Sequence, residues 1–206
     1  MSDESFFLTR GYLTEREVDR LIDAAALNRH GARDAALIRI AFQHALRVSE
    51  AIDLRMGQID FAGRTIFCRR LKGSDSNLHP LSEHEVRMLK ALTQGRTLQD
   101  TSLIIAKSTG GPLTRQAVWK VIRAAGVRAG LGGRIHPHML KHAAGYSLIN
   151  RGKDLRLVQA YMGHRQVMNT VRYTAVDAER FRRIWDSDTS GLMASRHAEC
   201  YNRKNG

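Results

Sequence analysis

The 206-residue chain reads as mainly α-helical with one small antiparallel β-sheet. Two capping-box pairs, Thr14/Glu17 and Ser82/Glu85, stand ahead of apolar runs spaced for one helical face. Glycine breaks and polar caps divide the rest into segments of helical length. In one window, residues 58–81, the apolar period falls to two between turn signals.

The elements follow in order. "LTEREVDRLIDAAAL" puts Val18, Leu21, Ile22 and Ala25 on one face behind the Thr14 cap. "RDAALIRIAFQHAL" is apolar on most sides, the pattern of a buried helix, and stops near "RVSE", where Ser49 is placed to cap a short turn. In "QIDFAGRTIFCRRLKGSDSNLHPL", Ile59, Phe61, Ile66 and Cys68 alternate around Ala62-Gly63 and Gly73-Ser74-Asp75-Ser76-Asn77, giving about three strands. A helix follows Ser82 with Val86 and Leu89 inward. Then "SLIIAKSTGGPLT" ends in Thr114, the cap of "RQAVWKVIRAAGVRAG". After the "GLGG" break, helix runs from Pro137 to about Asn150, stops at Gly152, and restarts at Asp154 to about Met162. A last helix is expected over 177–185, with a weakly ordered end. The sheet sits inside the helical body, so one domain over 1–186 with a tail at 187–206 is expected.

Charge narrows the partner. The net charge is +13, but residues 114–183 hold 14 Lys and Arg against 3 acidic residues, whereas residues 1–113 hold 16 against 14. Such a concentration suits a polyanion, because Lys and Arg displace the counterions condensed on nucleic acid. A solvated basic face is the plainer alternative. No apolar run approaches the ~18 residues of a membrane helix, and the acidic start "MSDESFFLTR" does not read as a secretory leader. Cys68 and Cys200 form no CxxC pair, which points to a reducing, cytoplasmic setting.

Inside the basic third, "HPHMLKHAAG" crowds His138, Lys141 and His142 at a helix start. His138 and His142, four apart, could share a metal as in HExxH enzymes, but Met139 follows where that chemistry needs a glutamate. Phosphate is the better match: a helix N-terminus offers free N–H groups, and His138 and Lys141 add donors to the same oxygens. Helix-start histidines bonded to backbone remain the plain reading.

The order of the motifs resembles the tyrosine recombinases of the phage-integrase type, and most of all their short fimbrial phase-switch invertases. His138-Met139-Leu140-Lys141-His142, Met162-Gly163-His164 and Thr170-Val171-Arg172-Tyr173 are similar to the family's H-x-L-R-H, L-G-H and T-x-x-Y elements. Upstream, "HALRVSEAIDLR" looks like its first arginine box and "RRLKGSDSNLHPL" like its β-hairpin lysine. The likeness spans about residues 10–185 and implies the family's catalytic-domain fold without a separate N-terminal core-binding domain.

The resemblance implies phosphoryl transfer on a DNA backbone with no cofactor and no metal, and there is no GxxxxGK[ST] loop to hold a nucleotide. Tyr173, nine residues after His164, would be the nucleophile of a 3′-phosphotyrosine intermediate, with Tyr146 and Tyr161 as packing residues. With an ordinary phenol pKa of ~10, its proton must be taken up or its anion favoured by nearby cations. Arg47 would grip a phosphate oxygen and Glu50 would hold it; Lys72 would protonate the leaving 5′-oxygen, with Arg69 and Arg70 as adjacent alternatives. His138 and His164 would bond the phosphate, and His142 would support them. Lys141 departs from the family's arginine, keeping charge but losing the fork, so a cleavage-impaired DNA-binding paralogue or regulator is the alternative. The implied partners are double-stranded DNA with inverted-repeat sites, three further copies in a homotetramer, and an accessory DNA-bending protein, on a bacterial nucleoid and away from membranes.

Overall fold

A computed structural model describes residues 11–71, 73–132 and 134–174. Described residues up to Tyr173 form one compact unit. The expected helix at 177–185, the tail, Cys200 and Lys72 lie outside the described residues.

Helix α1 (Glu15–Ala26) begins with the expected capping box, Thr14 accepting from the Glu17 N–H and Glu17 from the Thr14 N–H. Its apolar face, Val18, Leu21, Ile22 and Ala25, is buried against α2 (Gly31–Gln43) and α5 (Arg115–Arg128). Helix α2 is the buried helix its sequence implies and also packs on α6 (His138–Asn150). It ends at His44, and Ala45 then adopts φ 49°, a left-handed corner that a residue with a Cβ rarely takes. That corner turns the chain from the core toward the surface two residues before Arg47.

The short helix α3 (Val48–Ile52) is capped by Arg47, not Ser49 as expected: Glu50 accepts the Arg47 backbone N–H at 2.8 Å. A carboxylate at the third helical position meets the free N–H groups of the first turn better than a hydroxyl one residue inside the helix can. The sheet has the expected three antiparallel strands, β1 (Ile59–Asp60), β2 (Thr65–Cys68) and β3 (Asn77–Pro80), in that order. Phe61 falls in the turn rather than a strand, because the Asp60 carboxylate accepts the N–H groups of Ala62 and Gly63 and closes the chain early. Helix α4 (Glu83–Thr93) carries the second capping box.

Helices α6 and α7 (Leu155–Met162) have the expected bounds within a residue, Asp154 capping α7 through the N–H groups of Arg156 and Leu157. Two short pieces were not anticipated, α8 (Met168–Val171) and a 3₁₀ turn (Arg172–Thr174). They bring Tyr173 into a small apolar cluster with Ala45, Ala144, Ile149, Val158 and Met162, beside the main core. Among the described residues no helix is long and apolar enough to cross a membrane.

Candidate functional site

A cavity of about 160 Å³ lies where the α2–α3 corner, the β2–β3 loop, the start of α6 and the segment after α7 converge. Its walls include Arg47, Ser74, His138, Lys141, His142, His164 and Tyr173. Six of the seven were singled out from sequence, and the cavity gathers them from segments more than 120 positions apart. Lys72 is not described; its neighbours Gly73 and Ser74 line the cavity.

Arg47 reaches the cavity from the α3 cap with its side chain about one-third exposed. Its Nη1 donates to Glu50 Oε1 at 2.9 Å and to Ser74 Oγ at 3.1 Å. Glu50 is buried and also accepts from the Leu71 N–H at 3.1 Å and Arg70 Nη1 at 3.3 Å. Burial alone would raise its pKa, but the N–H groups of Arg47 and Leu71, the Lys141 charge and the Arg47 side chain hold it below the usual value. Glu50 is therefore a fixed anion held against the Arg47 and Arg70 guanidiniums.

Sequence reasoning offered Arg70 only as a neighbour of Lys72. Its side chain is fully buried, and its guanidinium donates to three carbonyls: Ala45 at 2.8 Å and His44 and Tyr161 each at 2.9 Å. It thus ties the left-handed corner to the end of α7. The "RRLK" run carried no signal to tell which arginine faced inward.

His138 opens α6 with its side chain exposed at the rim; partial desolvation, then the charges of His136, Arg47 and Lys141, lower its pKa. Lys141 is almost wholly buried, and its Nζ donates to the Met162 carbonyl at 3.3 Å. Burial, then the Arg70 charge, brings its pKa down to about 7 against the pull of Glu50. His164 shares a 3.0 Å hydrogen bond with Thr170 through Nδ1, and burial with the Lys141 and Arg47 charges lowers its pKa to about 4. The loop beyond Lys72 is clasped to the same segment: Asp75 N–H donates to the Gly163 carbonyl at 3.0 Å, Ser74 pairs with His164, and Arg165 Nε donates to Asp75 at 2.8 Å. Gly163 has φ 67°, and a Cβ there would come within 2.5 Å of the Asp75 oxygen, so both the turn and the clasp require glycine.

Tyr173 is only 2% exposed. Its hydroxyl lies 3.1 Å from His142 Nδ1, its ring packs edge-on against Tyr146, and its pKa is pushed up to about 12, chiefly by burial. The nearby Arg172 and Arg47 charges lower it but do not outweigh burial. Expected only to support other groups, His142 instead meets the phenol directly. Its own pKa is lowered to about 4, again by burial first, so the ring is neutral near pH 7. Gly145 makes room for this arrangement, since a Cβ there would sit 2.7 Å from the Tyr173 ring. Tyr146 and Tyr161, read from sequence as packing residues, donate to the Arg172 and Gln43 carbonyls.

The arrangement presents three guanidinium or ammonium groups, Arg47, Lys141 and Arg172, and three imidazoles around a space large enough for a phosphate group, with a phenol at its wall. An oxyanion is the ligand such donors fit.

Residues 11–180 match the family described as the phage integrase family. The chain is 42% identical over 181 residues to the type 1 fimbriae regulatory protein FimE of Escherichia coli K12, covering 86% of this chain and 91% of that one. Identity to the type 1 fimbriae regulatory protein FimB of the same strain is 41% over 180 residues, 86% and 90% of the two chains. The crystal structure of XerA recombinase superposes with a TM-score of 0.71 at 26% identity, covering 85% of this chain and 62% of the other.

Proposed function

From the premise that this chain belongs to the phage integrase family, the tyrosine recombinases, we propose that it is a site-specific DNA recombinase whose cavity binds a scissile backbone phosphate. The observation that carries the reading is the convergence of Arg47, His138, Lys141, His164 and the Tyr173 hydroxyl on one cavity.

The chemistry follows from the groups. Arg47, Lys141, His138 and His164 take the non-bridging oxygens, whose negative charge grows toward the transition state. With its proton on Nε2, His142 accepts the phenol proton at Nδ1 as the Tyr173 oxygen bonds to phosphorus. The P–O5′ bond breaks and the 5′-oxygen takes a proton, for which Lys72 is the proposed donor. The bond energy is kept in the phosphotyrosine, and the reverse steps rejoin the strand with a new 5′-hydroxyl. No nucleotide or metal enters any of these steps. DNA desolvates the cavity further and supplies the anion that the cations await.

Beyond the phosphate, α5 presents Arg115, Lys120 and Arg123 on an exposed face, with the Arg123 guanidinium over the exposed Trp119 ring at 5.0 Å. A face of this kind suits a duplex. By likeness to the fimbriae regulatory proteins, the substrate we propose is a short invertible promoter element flanked by inverted repeats. The acting assembly is a homotetramer joining two sites, aided by a DNA-bending protein, in the bacterial cytoplasm on the nucleoid.

A nicked duplex that traps cleaved strands tests this. Wild-type protein should form a covalent protein–DNA band on its target that Tyr173→Phe abolishes while its gel shift persists. A specific gel shift with no covalent band from the wild type would instead favour a regulator that occupies sites without cutting.

A further inference from the structure

Beneath the cavity, and outside the proposed chemistry, lies a buried cluster. His44 caps the C-terminus of α2, and Cys68 and His79 sit on the buried face of β2 and β3, diagonal to one another across the ladder. One nitrogen or sulfur from each lies within 4.8 Å of the other two. The two imidazole Nδ1 atoms are 3.2 Å apart, close to the spacing of about 3.3 Å between nitrogens on neighbouring corners of a zinc tetrahedron with ~2.0–2.1 Å bonds.

With His44 neutral, hydrogen counting leaves this cluster incomplete. His44 Nε2 faces Glu85 Oε1 at 2.9 Å. If that nitrogen carries the hydrogen, Nδ1 of His44 is a lone pair and His79 must supply the hydrogen between the rings. His79 Nε2 is then a bare acceptor, and it is buried with no partner. Either a second proton on His44, paired with the Glu85 carboxylate, or a metal cation between the two Nδ1 atoms removes the conflict. Each ring then carries its hydrogen on Nε2, that of His44 directed at Glu85. A carboxylate on the far nitrogen of a histidine is also what orients metal-binding imidazoles.

We propose that His44, Cys68 and His79 bind one zinc ion, which pins the β2–β3 hairpin to the end of α2 below Arg47. Two nitrogens and a thiolate are ligands zinc prefers over magnesium or calcium. The thiolate and the Glu85 carboxylate neutralise its two charges, which a buried ion requires. Binding releases the Cys68 thiol proton to solvent, so one proton leaves for each ion bound. A cavity of about 380 Å³ borders the cluster at His44, Glu85 and Tyr161. The site would steady the cavity from below, since the His44 carbonyl receives Arg70, which in turn meets Glu50.

Chelator-stripped, full-length protein titrated with Zn²⁺, and separately with Co²⁺, tests the assignment. After desalting, the wild type should hold one zinc per chain, melt several degrees higher than the stripped protein, and give a thiolate-to-cobalt absorption band. The chain has two cysteines, so Cys200→Ser should keep the band, which leaves Cys68 as its source even if Cys68→Ser does not fold. A folded Cys68→Ser protein should lose the band and the zinc-dependent rise in Tm. A wild type that retains no zinc, a band lost in Cys200→Ser, or an undiminished Tm rise in Cys68→Ser would each overturn the proposal.

Discussion

Replacing Lys141 with arginine separates charge from geometry in the cavity. Lys141 is buried beside Arg70 and Arg47, and its pKa near 7 means that its charge is lost within the working range of the protein. At a pKa of about 7, roughly half of the chains carry the charge at pH 7 and only about 3% at pH 8.5. Arginine stays charged throughout and restores the two-pronged grip on a phosphate. His142 and His164, lowered to about 4, and Tyr173, raised to about 12, do not titrate across that interval, and His138 is lowered from its ordinary value by partial burial. The assay is the second-order rate of covalent complex formation on a nicked duplex between pH 6 and 9, with protein well below saturation, because such a rate reports the protonation of the free protein. Wild type should slow about tenfold per pH unit above pH 8, while Lys141→Arg stays level and leads by about 30-fold at pH 8.5. The larger guanidinium will strain a packed site by about 1–3 kcal/mol, but that strain acts equally at every pH. Parallel profiles for the two proteins would refute the argument.

Stability carries the same signature with its own sign. The folded pKa of Lys141 lies below its ordinary 10.5, so the unfolded chain binds more protons between about pH 7 and 10.5, and stability from this group rises with pH across that window. At and below pH 7 the buried charge costs on the order of 4–5 kcal/mol, so Lys141→Met should raise Tm more at pH 6.5 than at pH 9.5; equal gains by calorimetry would contradict this. Glu50→Gln removes the anion shared by Arg47 and the buried Arg70, and should lower stability by about 3–5 kcal/mol in urea melts and cut covalent product with it. A loss under 1 kcal/mol would mean that the carboxylate is not the anchor. Gly145→Ala pushes a methyl into the Tyr173 ring, and should reduce covalent product at least about tenfold at the ~1.4 kcal/mol per decade of rate, with the gel shift kept; unchanged cleavage would show the ring free to shift.

What could be read from the chain was whatever has a local cause. Thr14 and Glu17, or Ser82 and Glu85, announce helix starts because their partners lie three residues away. His138, Lys141 and His164 were legible because their motifs are contiguous. The burial of Tyr173 was not, since α8 and the turn after it are too short to carry a period and are held by packing on α6 and α7. Nor was Arg70, whose three carbonyl partners come from residues 25 to 91 positions away. The grouping of His44, Cys68 and His79 fell outside local reading for the same reason. Ser49 failed as a cap because the helix already starts at Val48, where Glu50 accepts the Arg47 N–H and leaves Ser49 inside the first turn.

The clasp between Asp75 and Gly163 bears on how this protein can be re-engineered. It makes the loop after Lys72 and the turn before His164 a single mechanical part, although nearly ninety positions of chain separate them. A chimera that imports a relative's hairpin alone would set a foreign loop against the native turn and leave it unlatched. Segments 70–77 and 160–165 should therefore be exchanged together, as one cassette.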